Sequence, residues 1–272
     1  MRKLDFMTVS GLFCGIMAIS VAIIMGGNCV IFWNLPSVLI TVCGSFAALL
    51  ITFGAAQIRN VLIITKHVFL SKSWDLHELI GILVAMARKA RRHGLLALEE
   101  DIPQLSDPFF QKAVRMIVDA IEPEMIRQVL ETDMRFTARR HELGQRVYRT
   151  WAGLAPAFGM IGTLIGLIQM LAQIEDPSKL GEGMALALIT TFYGVVMANL
   201  ILNPMTGKLA LRSEEELLIK ELILEGVTSI QAGLNPRVLE EKLGSFLAPD
   251  QRADSVPPLT GMVEQGDIKA HG

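Results

Sequence analysis

Three threonines and two prolines in the second half of the chain could line a path for a hydrated ion. Pro156 has no N–H to donate to the carbonyl of residue 152, and Pro204 leaves the carbonyl of residue 200 in the same state. Thr163, Thr190 and Thr191 add hydroxyl oxygens close to those freed carbonyls. Hard cations such as sodium bind oxygen ligands of these kinds. The alternative is that the hydroxyls bond back to their own helices, which says nothing about ions.

Small residues recur with helical spacing around these threonines, at intervals of three and four. They are Ala155, Gly159, Gly162 and Gly166 in the apolar segment near 152–174 and Ala187, Gly194 and Ala198 in the apolar segment near 184–206. Small side chains let membrane helices approach closely, so the four glycines predict helix packing. An ion path through lipid normally contains a carboxylate, and neither apolar segment has one. We therefore expect the acidic residue to come from another chain.

The composition is typical of an integral membrane protein. Apolar residues make up 51% of the chain, charged residues 19%, and the mean hydropathy is +0.45. No Asp, Glu, Lys or Arg occurs from Phe6 to Ile58, which is long enough for two membrane helices of about 20 residues each. We predict an all-α membrane protein with four transmembrane helices, near residues 5–26, 35–56, 152–174 and 184–206, and a helical cytoplasmic insert between the second and third.

Five segments follow from this pattern. Residues 1–56 hold transmembrane helices one and two, 57–150 the cytoplasmic helical domain, 151–207 helices three and four, and 208–247 cytoplasmic C-terminal helices. The tail at 248–272 is rich in Pro, Gly and Asp and poor in apolar residues, so we expect it to be disordered.

The distribution of basic residues predicts the orientation. Lys and Arg concentrate before span one, in the insert and after span four, whereas Lys179 is the only basic residue in the two opposite loops. Basic loops stay in the cytoplasm, so both termini are predicted to be cytoplasmic. The first apolar run is too long for a signal peptide and leads into another span, so we expect it to remain uncleaved.

The insert is predicted to be helical, with no strand alternation. Apolar residues recur with a helical period from Leu76 to Ala87, and Gly94 marks a helix end. The same period continues through residues 95–103 and 107–136, with prolines 103, 108 and 123 near helix starts. An amphipathic helix extends span four, and Asn235 with Pro236 opens a short final helix. Acidic and basic residues balance, which argues against a nucleic-acid partner.

Motifs for enzymatic chemistry or cofactor binding are missing from the sequence. There is no phosphate-binding loop, no histidine pair at metal spacing and no nucleophile elbow, so we expect no enzyme activity, cofactor or resident metal. Cys14, Cys29 and Cys43 lack metal spacing and are interpreted as small apolar residues. His93 is interpreted as part of a solvated helix end.

Four stretches carry a family resemblance, in the same order along the chain. They are GLLALEEDI (94–102), GLAPAFGMIGTLIGLIQML (153–171), LALITTFYGVVMANLILNP (186–204) and GLNPRVLEEKL (233–243). Together with the order of four spans and a large insert, they resemble the flagellar motor stator A subunits, the MotA/PomA family. The resemblance implies that five A subunits surround two B subunits, and that each B subunit supplies one essential intramembrane Asp.

The resemblance also implies roles for charged and membrane residues. The family's cytoplasmic arginine and glutamate, which push the rotor protein FliG, fall on Arg91 and Glu99, with Arg88, Lys89, Arg92 and Glu100 as neighbours that share the work. The alternative for these residues is a solvated helix charge. The family's functional prolines match Pro156 and Pro204. The threonines of its sodium-driven branch match the three above, which favours Na⁺ over H⁺ as the transported ion.

Two other functions fit parts of the pattern. The energising subunits of outer-membrane systems, ExbB and TolQ, are related, but they have three spans where this chain has four. A stand-alone channel or transporter would need its own intramembrane carboxylate or filter, and the sequence shows neither.

Overall fold

The computed structural model describes residues 3–27, 29–54, 56–59, 70–71 and 75–247. The tail for which disorder is predicted, 248–272, lies outside the described residues. Contacts divide the chain into a membrane unit, Met1–Ser73 with Phe136–Glu215, and an insert unit, Trp74–Arg135 with Glu216–Gly272. The predicted all-α membrane fold is confirmed, with four helices long and apolar enough to cross a membrane: Phe6–Met25, Cys29–Thr52, Pro123–Ala172 and Leu180–Gln231, here called spans one to four.

Span one is regular and span two is not. Asp5 caps span one by accepting from the Thr8 backbone N–H at 3.2 Å. Span two begins with a 3₁₀ turn, Cys29–Phe32, and continues as α-helix Leu35–Val38, π-helix Leu39–Gly44 and α-helix Ser45–Thr52. Its helix therefore ends four residues before the predicted boundary at 56.

The helix of span three begins far before its predicted bound, and span four continues beyond its apolar part as predicted. Span three is one helix from Pro123 to Ala172, so the predicted boundary at 150/151 falls inside it. Span four is α-helical over Leu180–Val196, π-helical over Met197–Leu202 and α-helical again over Asn203–Gln231. The π turn ends at Leu202, two residues before Pro204, whose ring would clash with the carbonyl four residues earlier in a regular α-helix. The predicted helical extension of span four is confirmed.

The insert unit is a small helical domain with its own core. It contains helices Leu76–His93, Pro108–Val118 and Pro236–Gly244, a 3₁₀ helix Leu95–Gln104, and the adjoining ends of spans three and four. Asp75, Asp107 and Asn235 cap the three α-helices through their side chains. The largest fully buried side chains of this core are Leu79, Leu83, Leu98, Phe110, Ile117, Ile126, Leu130, Leu222, Ile223 and Leu239.

Two details of the insert and the N-terminus differ from the predictions. Residues 95–104 form a 3₁₀ helix with Pro103 inside it, not an α-helix with this proline near its start, whereas Pro108 and Pro123 do begin helices. A short local segment that contains a proline favours the tighter 3₁₀ turn. Lys3–Leu4 also pairs with Leu70–Ser71 in a two-residue antiparallel ladder that no sequence pattern indicated.

Candidate functional site

Spans three and four pack through their glycines. A Cβ built on Gly166 would lie 2.4 Å from the carbonyl oxygen of Gly183, and one on Gly194 would lie 2.7 Å from that of Ala155. A Cβ on Gly159 would come within 3.0 Å of the Thr190 carbonyl oxygen. Because these neighbours are backbone atoms, a side chain could fit only if the helices moved apart.

Thr163 and Thr191 form an oxygen cluster between the two spans. Their hydroxyl oxygens lie 2.6 Å apart, and each lies 3.2 Å from the Ala187 carbonyl oxygen. The Thr163 hydroxyl is also 3.1 Å from the Gly159 carbonyl. Each hydroxyl has one proton to donate, so the cluster has more acceptor oxygens than protons. Both side chains are half-buried, which leaves the cluster open on one side of the chain.

Thr190 lies in a different environment from the other two threonines. Its side chain is fully buried, and its hydroxyl lies 2.9 Å from the Leu186 carbonyl oxygen and 3.0 Å from the Ala187 carbonyl oxygen of its own helix. A Cβ on Gly162 would lie only 2.4 Å from Thr190 Cγ2, so span three covers this side chain. Thr190, one of the three threonines predicted to line the ion path, is therefore enclosed within the chain, because Gly162 lets span three pack directly against it.

The two prolines occupy unlike positions. Pro156 is half-buried inside the unbroken span-three helix, and its Cα lies 3.1 Å from the position of a Cβ on Gly194. Pro204 is exposed and follows the π turn of span four. Neither can donate a hydrogen bond to the preceding turn.

Polar side chains that the sequence analysis did not consider lie in the spans. Asn199 donates to the Val195 carbonyl at 3.1 Å and accepts from Asn203 at 3.3 Å, and both amides are exposed on the surface of the chain. On span two, Thr41 donates to the Thr190 carbonyl at 3.2 Å, and Ser45 accepts from the Trp151 indole N–H at 3.1 Å. The sequence signal that could have revealed these residues is a spacing of four between polar side chains in an apolar helix.

The charged candidates lie at one end of the insert helix Leu76–His93. Arg91 and Arg92 are in its last turn, Glu99 and Glu100 are in the 3₁₀ helix that follows, and all four, like Arg88, are exposed. Gly94, with a φ of +83°, forms the turn between the two helices. Within the described part of the chain, Arg88, Arg91, Arg92 and Glu99 form no ion pair.

Lys89 differs from these neighbours because its ion pairs connect the insert helix Leu76–His93 to the 3₁₀ helix Leu95–Gln104. Its ammonium lies 2.9 Å from an Asp101 carboxylate oxygen and 3.2 Å from Glu100. The hydrogen bond to Asp101 is the main cause of the raised pKa of Lys89. Glu100 is therefore partly engaged within the chain, whereas Glu99 is exposed and has no ion-pair partner among the described residues.

The described residues contain no group of His, Cys, Asp and Glu side chains arranged to hold a metal ion. The three cysteines are exposed on the chain and form no disulfide.

Comparisons with known proteins agree over most of the chain. The model of the MotA/TolQ/ExbB proton channel family matches residues 101–221. Motility protein A of Borreliella burgdorferi is 46% identical over 223 residues, which cover 82% of this chain and 86% of that protein. Chemotaxis protein PomA of Vibrio alginolyticus is 38% identical over 250 residues, which cover 92% of this chain and 98% of that protein.

Two solved structures have the same fold. The structure of C. jejuni MotAB matches with a TM-score of 0.84 and 28% identity, and the match covers 91% of this chain and 97% of that chain. The flagellar MotAB stator complex from Bacillus subtilis matches with a TM-score of 0.85 and 29% identity over 90% of this chain and 97% of that chain.

Proposed function

The chain belongs to the MotA/TolQ/ExbB proton channel family, together with Motility protein A and PomA, and we propose that it forms the ion-conducting ring of a flagellar stator. It is a stator subunit of the flagellar motor and a multi-pass membrane protein that partners a B subunit. In the proposed assembly, five copies surround a B-subunit dimer.

The observation that carries this proposal is an oxygen cluster between two apolar helical segments that contain no acidic residue. The hydroxyls of Thr163 and Thr191 and the Ala187 carbonyl come together between spans three and four. No Asp or Glu lies in residues 153–173 or 184–206. Because an ion relay through lipid uses a carboxylate, the A subunit supplies neutral oxygen ligands and the B subunit supplies the Asp.

The proposed coupling ion is sodium. A sodium ion that reaches a carboxylate must exchange water oxygens for protein oxygens, and hydroxyl and carbonyl groups serve this purpose. The half-buried Thr163–Thr191 pair offers such oxygens on a surface that a partner helix can reach. Pro156 lies about two turns before Thr163 and leaves the Ala152 carbonyl, one turn further from the threonine pair, without its helical N–H donor.

The proposed rotor contact is the end of the insert helix. Arg91 and Glu99 are exposed charges of opposite sign on either side of the Gly94 turn. Charged groups of this kind steer a partner and set its register. In this proposal they push FliG, with Arg88, Arg92 and Glu100 as neighbours.

Both termini are proposed to lie in the cytoplasm of a bacterium, with the spans in its inner membrane. The basic residues concentrate on one side of the predicted topology. Asp5, before span one, contacts Lys208 and Arg212, after the apolar part of span four. These contacts support one common side for the start of span one and the end of span four.

Ion flux in proteoliposomes tests the assembly. The chain reconstituted alone should pass neither Na⁺ nor H⁺, and the chain with its B subunit should pass Na⁺ at fixed pH. Replacement of the B-subunit Asp by Asn is the control and should abolish the flux. Flux from the chain alone would favour the stand-alone channel, and a complex that restores outer-membrane transport but not swimming would favour an ExbB/TolQ-like role.

A further inference from the structure

The buried Thr41 of span two hydrogen-bonds the backbone of span four beside the oxygen cluster. Its side chain is fully buried, and its hydroxyl donates to the Thr190 carbonyl oxygen at 3.2 Å. The Thr190 carbonyl belongs to the peptide unit that leads directly into Thr191, whose hydroxyl lies 2.6 Å from that of Thr163. Span two thus contacts the peptide that carries one of the two cluster hydroxyls.

The same peptide is held from a second side by span three. A Cβ on Gly159 would lie 3.0 Å from the Thr190 oxygen and 3.2 Å from Thr191 Cα. Three spans therefore meet at one peptide unit, and Thr41 provides the directional contact among them. A carbonyl has two lone pairs, so this oxygen can accept from Thr41 in addition to its own helix.

We propose that Thr41 is a positioning residue for the ion path, which fixes the Thr163–Thr191 oxygen pair through the Thr190 carbonyl and so sets the affinity for the transported ion. This inference rests on the proposed function. Ligand oxygens held by a rigid outer layer of contacts bind an ion better than oxygens free to separate. Thr41 is fully buried, so in this proposal it acts through the Thr190 carbonyl and not as an ion ligand.

Substitution by valine isolates the hydroxyl. Thr41→Val keeps the shape of the side chain and removes the donor, while Thr41→Ser keeps the donor. Thr52→Val is the matched control, because Thr52 is an exposed threonine of the same span whose hydroxyl donates to the Ala48 carbonyl of its own helix. Interhelical hydrogen bonds in membranes contribute about 0.6–1.5 kcal/mol, which corresponds to about a three- to tenfold change in affinity.

The measurement is the flux of the complete A–B complex as a function of ion concentration, with Na⁺ varied at fixed pH and then pH varied at fixed Na⁺. Thr41→Val should raise the half-saturating concentration of the coupling ion about three- to tenfold and leave the maximum flux near wild type. Thr41→Ser and Thr52→Val should behave as wild type. A lower maximum flux with unchanged half-saturation, or no change at all, overturns the positioning role.

Two further variants keep the test decisive. If Thr41→Val does not accumulate in the membrane, the comparison of Thr41→Ala with Thr41→Ser isolates the hydroxyl without an added methyl group. Thr191→Val separates the two proposals: if it shifts half-saturation and Thr41→Val does not, only the positioning role fails. If neither Thr191→Val nor Thr163→Ala shifts half-saturation for either ion, the proposed ion path itself fails.

Discussion

Asp5 accepts a hydrogen bond from Arg212 at 2.6 Å, so the residue before span one is joined to span four. Lys208 approaches the same carboxylate oxygen, also at 2.6 Å. The Asp5 side chain is only 10% exposed, and it also caps span one. One carboxylate therefore joins the first and last helices of the membrane unit.

Asp5→Asn should destabilise the membrane unit. Hydrogen bonds to charged groups contribute about 1.5–3 kcal/mol, and two cations would lose their common partner. The thermal unfolding midpoint of the detergent-solubilised complex should fall. Asp176→Asn is the control, because Asp176 contacts Ser178 and Lys179 on an exposed loop, and its midpoint should stay near wild type. Equal midpoints for Asp5→Asn and wild type would contradict a structural role for this contact.

The contribution of Asp5 should depend on pH in a defined direction. The hydrogen bond from Lys208 is the largest cause that holds the pKa of Asp5 well below its usual value of 3.8. A lowered folded pKa means that the stabilisation is complete above pH 3.8 and is lost as the pH falls toward the folded pKa. The difference in unfolding midpoint between wild type and Asp5→Asn should therefore be constant from pH 7 to about 4 and shrink below that value. If the difference in midpoint already shrinks between pH 7 and 5, its pH dependence belongs to another ionisable group.

Gly194→Ala should separate spans three and four. The new methyl group would lie 2.7 Å from the Ala155 carbonyl oxygen, which is a backbone atom and cannot turn away. Overpacking of this kind costs about 1–3 kcal/mol and would disturb the nearby oxygen cluster. The expected results are a lower yield of A–B complex and a lower flux. Gly153→Ala, on span three with no atom within 4 Å of the new group, should leave both unchanged.

Local patterns predicted local features, and contacts between distant residues were missed. Helix Leu76–His93 ends at Gly94 as its apolar period indicated. The length of span three was missed because an apolar boundary is not a helix boundary, and nothing in the polar residues before it breaks a helix. Thr41 contacts a residue 149 positions away and Asp5 one 207 positions away. No local pattern signals either pairing.

Leu83 and Gly226 should show coupled effects in the insert core. Leu83 is fully buried, and Leu83→Ala should cost about 2–5 kcal/mol. A Cβ on Gly226 would lie 2.6 Å from Leu83 Cδ1, so Gly226→Ala should also destabilise. The double variant should lose less unfolding free energy than the two single variants lose in sum, because the smaller side chain at position 83 leaves room for the new methyl group. Hydrogen exchange of residues 76–93 in the complete complex measures this, and simple additivity would argue against direct contact.

Charge reversal should distinguish rotor contact from local structure at the end of the insert helix. Arg91→Glu combined with Glu99→Lys changes two exposed groups that pair with nothing in the described chain, so the complex should assemble normally while swimming of a stator-deficient host is lost. Compensating reversals on the rotor should restore part of the motion, since like charges across an interface repel. Lys89→Ala is the contrasting variant, because it removes the bridge to Glu100 and Asp101 and should increase hydrogen exchange over residues 95–104. Normal swimming of the Arg91 and Glu99 double variant would remove these residues from the rotor contact.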